Sequence, residues 1–456
     1  MTELIGLPAL ELASLVRERQ VTSREIVEAF LARTEAVDPE VNAVTLVLAD
    51  EALAAADAAD RTEPTGPLHG VPISVKENID LTGTPTTHGL PALADAMPEE
   101  DAPIVTRMRA AGAIPFLRTN LPEFGLRLDT DNPLRGRTRN PWDPSRTPGG
   151  SSGGEAAAIA ARMSPLGLGN DIGGSLRNPA FCCGIVGFRP TTGRVPMASS
   201  LPPVDGPLSE QLMATDGPMG RRVDDVSAAM AILNGADPSD PRSVDVPLDR
   251  PSPAHRVAGV VTTGSDGPLQ PAVAAAVGRA AEALAEAGWE LEEVTLPELA
   301  LVNEVWMRIM SEDIPGLVEA MGSLLTPRLR EVLLDHVTYY DPDRIPRGAL
   351  LPERRRLMRR WTEMFQRTPV VIGPVWPEQA FVGGADMEHG IGFVARFLQF
   401  VTPAPLLGLP ALAVPTGTSD GVPVGVQIHA DRWNDAWCFE AGRAIEAAVG
   451  VVEPPA

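Results

Sequence analysis

At 456 residues the chain exceeds the usual size of one domain but stays within reach of a large α/β domain with insertions, so length leaves one to three domains open. With 60 acidic against 38 basic residues the formal net charge is −22, which works against nucleic acid or an anionic membrane as partner, since both call for basic surface. The three cysteines, Cys182, Cys183 and Cys438, show no CxxC and no Cys/His spacing for zinc, no apolar run approaches the roughly 20 residues that span a bilayer, and no signal-peptide pattern opens the chain, so a cytoplasmic location is expected.

Apolar residues at helical spacing predict helices in "PALELASLVRERQ" and "SREIVEAFLARTEAVD", the second opened by Thr22 or Ser23 as N-cap. "VNAVTLVLA" reads as a strand and "DEALAAADAAD" as a helix. A short Val- and Ile-rich run, "VPISVKENI", predicts a strand carrying Lys76 near its end. Helix "IVTRMRAAG" and strand "AIPFLRT" follow, then a Pro- and Gly-rich loop to about residue 153, helix "EAAAIAARM", and strands "SPLGLGND" and "GIVGFRPT".

Residues 235 to 253 are Pro- and Asp-rich and read as a linker. Beyond them come strand "VAGVVT", helix "PAVAAAVGRAAEALAEAG", strand "ELEEVTL" and helices from 297 to 366. Within these, the arginine cluster "PERRRLMRR" at 352 to 360 reads as a solvated face paired with carboxylates. Strands "PVVIGP", "ALAVPTG" and "VPVGVQIHA" and the helix "NDAWCFEAGRAIEAAVG" close the chain. Such alternation predicts an α/β architecture, a sheet between layers of helices.

Two Gly-rich, serine-bearing segments carry the chemistry: "TPGGSSGGEAAAIAA" at 147 to 161 and "LGNDIGGSLRNPAFCCG" at 168 to 184. Glycines let a backbone approach a ligand closely and aim several N–H groups at one anion. Neither segment has the GK[ST] ending of a phosphate-binding P-loop. Both "GGSSG" and "GSSGG" fit the G-x-S-x-G elbow of α/β-hydrolases, with Ser151 or Ser152 as nucleophile, but the preceding "NPWDPSRTP" is no buried strand. Four histidines downstream, His255, His336, His389 and His429, could supply a base by count; His69, before Gly70, reads as loop structure.

A third mechanism needs no histidine. Lys76 is the single lysine among the 38 Lys and Arg residues. An amine can lose its proton on burial and activate a serine, whereas a guanidinium stays protonated, so arginine could not replace it in that role.

The combination of "GVPISVKENID", "PGGSSGGEAAAIAA" and "DIGGSLRNPAFCCGIVGFRPTTG" resembles the amidase signature enzymes, as do "TNLPEFGLRLDTDNPLRGRTRNPWD" and "GPMGRRVDDV". The resemblance is specific over residues 68 to 234 and looser toward both ends. It implies a single large α/β/α domain over 1–456, with a mixed, mostly parallel-type sheet covered by helices on both sides. Residues 68–234 would form the signature core, and 297–400 a variable helical region shaping the substrate pocket.

It also implies a Ser, cis-Ser, Lys triad: Ser175 as nucleophile, Ser151 as bridging serine after a cis Gly150–Ser151 bond, and Lys76 as base. The oxyanion would sit in the N–H groups of Ile172, Gly173, Gly174 and Ser175, with Ser152, Asp171 and Arg177 as supports. Gly125, Leu126, Trp306, Phe397 and Phe400 would bound the substrate, with no cofactor and no metal.

The expected activity is cleavage of the C–N bond of small amides or anilides through an acyl-enzyme, with carbamates and esters as related substrates. The expected partner is that small molecule, bound by a monomer or homodimer, with neither nucleic acid nor membrane. The alternatives are an α/β-hydrolase-type esterase and an amidase-like component of a tRNA-dependent amidotransferase.

Overall fold

The computed structural model describes residues 4–201, 205–265, 267–341 and 343–454. Eleven strands among these build one sheet: β1 (Val44–Val47), β2 (Pro72–Lys76), β3 (Ile114–Thr119), β4 (Leu166–Asp171), β5 (Val186–Arg189), β6 (Thr215–Gly220), β7 (Val257–Val260), β8 (Glu290–Glu293), β9 (Val370–Pro374), β10 (Ala411–Ser419) and β11 (Val422–Ala430). Their order across the sheet is β1-β3-β2-β4-β6-β5-β10-β11-β9-β7-β8.

The sheet is mixed, as expected, but its parallel character is confined to two blocks, β3-β2-β4 and β9-β7-β8. The strands between them pair antiparallel, so parallel pairing is not the majority. One cause is local: β10 and β11 are joined through Asp420 and Gly421, both at positive φ (51° and 78°), the two-residue turn that returns a strand directly beside itself.

Helices cover the sheet. Every residue of β2, β3, β5, β6, β9 and β11 is buried, which requires both faces to be occupied. Gly153–Ala160, Arg177–Cys183, Val223–Leu233, Pro271–Glu286 and Asp435–Val449 pack against the strands. Local signals set several boundaries as read from the sequence: Thr22 caps Ser23–Val41 in a reciprocal capping box with Glu25.

Strand β6, "TDGPMG", departs from strand-like composition and was not expected. Tertiary fit decides: a side chain on Gly217 would overlap the Phe188 carbonyl of β5, so glycine permits a close approach that a branched residue would block.

The 235 to 253 segment is not a linker between separate bodies. Arg107 Nη1 donates to the Gly235 carbonyl at 3.0 Å, and buried Arg194 donates to the Val246 carbonyl at 2.8 Å while pairing with Asp435 at 2.9 Å. In the arginine cluster, Arg356 pairs with Glu298 at 2.7 Å and Glu353 at 2.9 Å, a solvated ion-paired face as expected.

The first turn of Gly153–Ala160 docks on the end of β3, where Gly154 donates its N–H to the Asn120 carbonyl at 3.1 Å. A Cβ on Gly154 would overlap the Asn120 backbone. Gly154→Ala is expected to cost about 1–3 kcal/mol, read as a lower urea midpoint with unchanged slope.

Candidate active site

Three adjacent features of the fold converge. β2 ends at Lys76, β4 ends at Asp171 and runs into the second Gly-Ser segment, and the first segment enters Gly153–Ala160 between them. Lys76 is fully buried, its Nζ 2.7 Å from Ser151 Oγ and donating to Asn170 Oδ1, also at 2.7 Å. Burial lowers its pKa from 10.5 to about 7, against the opposing pull of Asp216, Asp171 and Glu155. The Gly150–Ser151 peptide bond is cis, as expected.

Backbone and amide contacts bring the two segments together. Ser152 donates its N–H to the Ser175 carbonyl at 3.3 Å, and Asn178 Nδ2 reaches the carbonyls of Gly150 (3.4 Å) and Gly173 (3.2 Å). The Ser175 hydroxyl makes no hydrogen bond among the described residues, and its residue is 7% exposed.

Of the four expected oxyanion donors, one is a correction. Gly174 spends its N–H on Asp171 Oδ1 at 2.8 Å, because its φ of +97° turns that amide back toward the end of β4. The amides of Ile172, Gly173 and Ser175 have no protein acceptor among the described residues.

Asp171 and Arg177 are fully buried and paired, Arg177 Nε to Asp171 Oδ2 and Nη2 to Oδ1, both 3.1 Å. Asp171 also accepts from the Leu176 N–H at 3.2 Å and lies 3.6 Å from Arg189. Burial alone would raise its carboxyl, but Arg177, Arg189 and these donors hold it below the ordinary value. Arg177 continues to Gln427 Oε1 at 2.8 Å and the Val401 carbonyl at 2.9 Å. Asp171 therefore fixes the turn of the second segment, and Arg177 ties that turn to β11.

The expected substrate-facing residues divide. A Cβ on Gly125 would lie 3.7 Å from Ser151 Oγ, so Gly125 stands over Ser151. Trp306 lies against Gly173 and donates Nε1–H to the Ile172 carbonyl at 3.0 Å. Leu126 and Phe124 pack on a separate apolar cluster with Leu90, Ile314, Leu325 and Leu329. Phe397 and Phe400 make their contacts within the core. Phe397 sits in an aromatic core with Trp376 and Phe381, ring centroids 5.1 Å away in each case. Phe400 is 1% exposed and contributes its carbonyl, which accepts from Gln427 Nε2 at 2.6 Å.

Sequence reasoning missed Asn170, Asp216, Glu155, Arg189 and Gln427. Glu155 was legible within its motif; it accepts from Thr119 Oγ1 at 2.6 Å and from Ser74 Oγ, and burial pushes its carboxyl up to about 7. His69 accepts from the Thr65 N–H and bonds the Ala59 carbonyl of helix Ala49–Arg61, and burial lowers His336 to about 4 and His429 to about 3. No histidine hydrogen-bonds Ser151, Ser152 or Ser175 among the described residues. Nor does any group of three or more His, Cys, Asp or Glu there form a metal-binding cluster, and no helix is long and apolar enough to cross a membrane.

Comparison with known proteins agrees with this fold. The chain matches the Amidase family model over residues 25–439 and belongs to that family of amidases. It is 36% identical to the indoleacetamide hydrolase of Bradyrhizobium diazoefficiens, covering 97% of this chain and 87% of that one. It is 34% identical to a glutamyl-tRNA(Gln) amidotransferase subunit of Salinispora tropica over 100% of both chains. Among solved structures, a bacterial aryl acylamidase of the amidase signature family superposes with a TM-score of 0.83 at 28% identity, covering 97% of this chain and 96% of that one.

Removing Arg177 would leave Asp171 buried with weaker compensation. Arg177→Met is expected to cost about 3–5 kcal/mol, measured by equilibrium unfolding.

Proposed function

We propose that this chain is a stand-alone serine amidohydrolase that cleaves small amides and anilides through an acyl-enzyme, with Ser175 as nucleophile, Ser151 as relay and Lys76 as base. The observation that carries this reading is a fully buried amine 2.7 Å from a serine hydroxyl, with its pKa brought down to about 7.

The chemistry follows from that amine. Neutral Lys76 accepts the Ser151 proton as Ser151 accepts that of Ser175, and Ser175 Oγ bonds to the carbonyl carbon while the C=O electron pair moves to oxygen. The oxyanion is met by the N–H groups of Ile172, Gly173 and Ser175, where one such donor contributes about 3–4 kcal/mol. The relayed proton then returns to the leaving nitrogen and the C–N bond breaks. Water, deprotonated through the same relay, releases the acid from Ser175.

An apolar or aryl acyl or amine group fits the surroundings, since Phe124 and Leu126 flank Gly125 with apolar surface and Trp306 lies against Gly173. The indoleacetamide hydrolase and aryl acylamidase similarities support the same class of substrate. Carbamates and esters present the same carbonyl and belong in the substrate panel. The enzyme would work without nucleic acid, as a monomer or homodimer in the cytoplasm. Full-length similarity to the amidotransferase component favours a second reading, a chain that needs partner chains to act.

Two experiments test the proposal. On an anilide panel, Lys76→Arg, Ser151→Ala and Ser175→Ala should each lower kcat by about 10²–10⁴-fold or more, with folding intact by circular dichroism. Full activity in Lys76→Arg would refute the assignment, and turnover only with co-purified partner chains would favour the second reading. Because the base must be neutral, activity should rise as the amine loses its proton: kcat/KM should show an acid limb near pH 7, falling tenfold per unit below it.

A further inference from the structure

Strand β6 brings an acid to the lysine that the mechanism above does not use. β6 pairs antiparallel with β4, and Asp216 stands directly opposite Asn170. Directly opposed side chains project from the same face of a sheet, with Cβ atoms about 4.5–5.5 Å apart. The Asn170 side chain ends on Lys76 Nζ at 2.7 Å, so Asp216 is next to the group that holds the amine.

Asp216 is 3% exposed, and its Oδ1 is enclosed without a hydrogen-bond partner among the described residues. The other acids around Lys76 are accommodated: Asp171 by Arg177 and Arg189, Glu155 by the hydroxyls of Ser74 and Thr119. A buried, unpartnered carboxylate is costly, and it discharges either by taking up a proton or by facing a cation.

We propose that Asp216 is a positioning residue for the amine of Lys76: the charge on its carboxyl, set across the strand pair from Asn170, governs how readily Lys76 becomes the free base. This rests on the reading of Lys76 as the base.

The electrostatics around the pair agree. Burial pushes Asp216 up to about 8, opposed by Lys76 and reinforced by Glu210, Asp240 and Asp80. Lys76 in turn faces Asp216, Asp171 and Glu155, and lies close enough to His88 to lower that imidazole. Two groups with such similar proton affinities at this proximity titrate as a pair. The sign is fixed: an ionised Asp216 favours the protonated amine, so removing its charge makes Lys76 easier to deprotonate wherever Asp216 would be ionised.

Because Lys76 is the only lysine, lysine labelled at its ε carbon gives one side-chain resonance, whose pH titration reads this amine directly. In Asp216→Asn the midpoint should fall by about one pH unit and the titration should become a single step, with the acid limb of kcat/KM moving the same way. Asp216→Leu, which also removes the charge, serves as the second variant if the first does not fold. An unmoved or raised midpoint would overturn the role of Asp216. The base assignment fails separately, if Lys76→Arg retains full activity.

Discussion

The site depends on taking one ammonium group out of water. Desolvation lowers the pKa of Lys76 because burial penalises the charged form, and the effect survives only if nearby carboxylates do not restore the charge. They are arranged so that they do not. Asp171 is compensated by two guanidiniums, and Glu155 and Asp216 are themselves raised by burial to about 7 and 8, which reduces their negative charge near neutrality. The outcome is an amine that can be free near pH 7 while held at 2.7 Å by both Asn170 and Ser151.

This explains the contrast between the single lysine and the many arginines. At buried structural positions the chain uses guanidinium groups: Arg177 and Arg189 with Asp171, and Arg194 with Asp435. A guanidinium keeps its charge when buried and offers several donors in a fixed plane, which suits a permanent scaffold. A primary amine is more easily discharged, which suits a base. The two chemistries lie on neighbouring elements: Arg177 fixes the turn that presents Ser175, and Lys76 approaches from β2 through Ser151.

Much of this was legible in the sequence because it is local. The Gly-Ser segments, the Lys76 strand and the Thr22 cap are each written in a few consecutive residues, while the cis bond before Ser151 came from the family resemblance. The misses come from long-range contacts. Asn170 gains its role from a strand almost a hundred residues before it, and Gln427 meets Arg177 from the far end of the chain. Asp216 was hidden in a strand that its glycine and proline content argues against. Phe397 and Phe400 show the converse failure: aromatic residues in the helical region read equally well as pocket or core, and only packing separates Trp306, on the Gly173 loop, from Phe397, among other rings.

The same packing couples the helical region to the loop over Ser151. Buried Glu123 accepts the Thr326 N–H at 2.5 Å and its hydroxyl at 2.7 Å, so the start of helix Pro327–Tyr339 is fixed two residues from Gly125. At the other end of this loop, Arg127 pairs with Asp386 at 3.1 Å and Asp129 accepts from the Gly384 N–H at 2.9 Å. The loop over Ser151 is therefore clamped at both ends by chain that lies outside the two Gly-Ser segments. Changes in residues 297 to 400 can alter the apolar surface around Leu126, Ile314 and Leu329 while the clamps keep Gly125 over Ser151. That apolar surface can then change in one part of the chain without disturbing the contacts among Lys76, Ser151 and Asn170 held by the sheet.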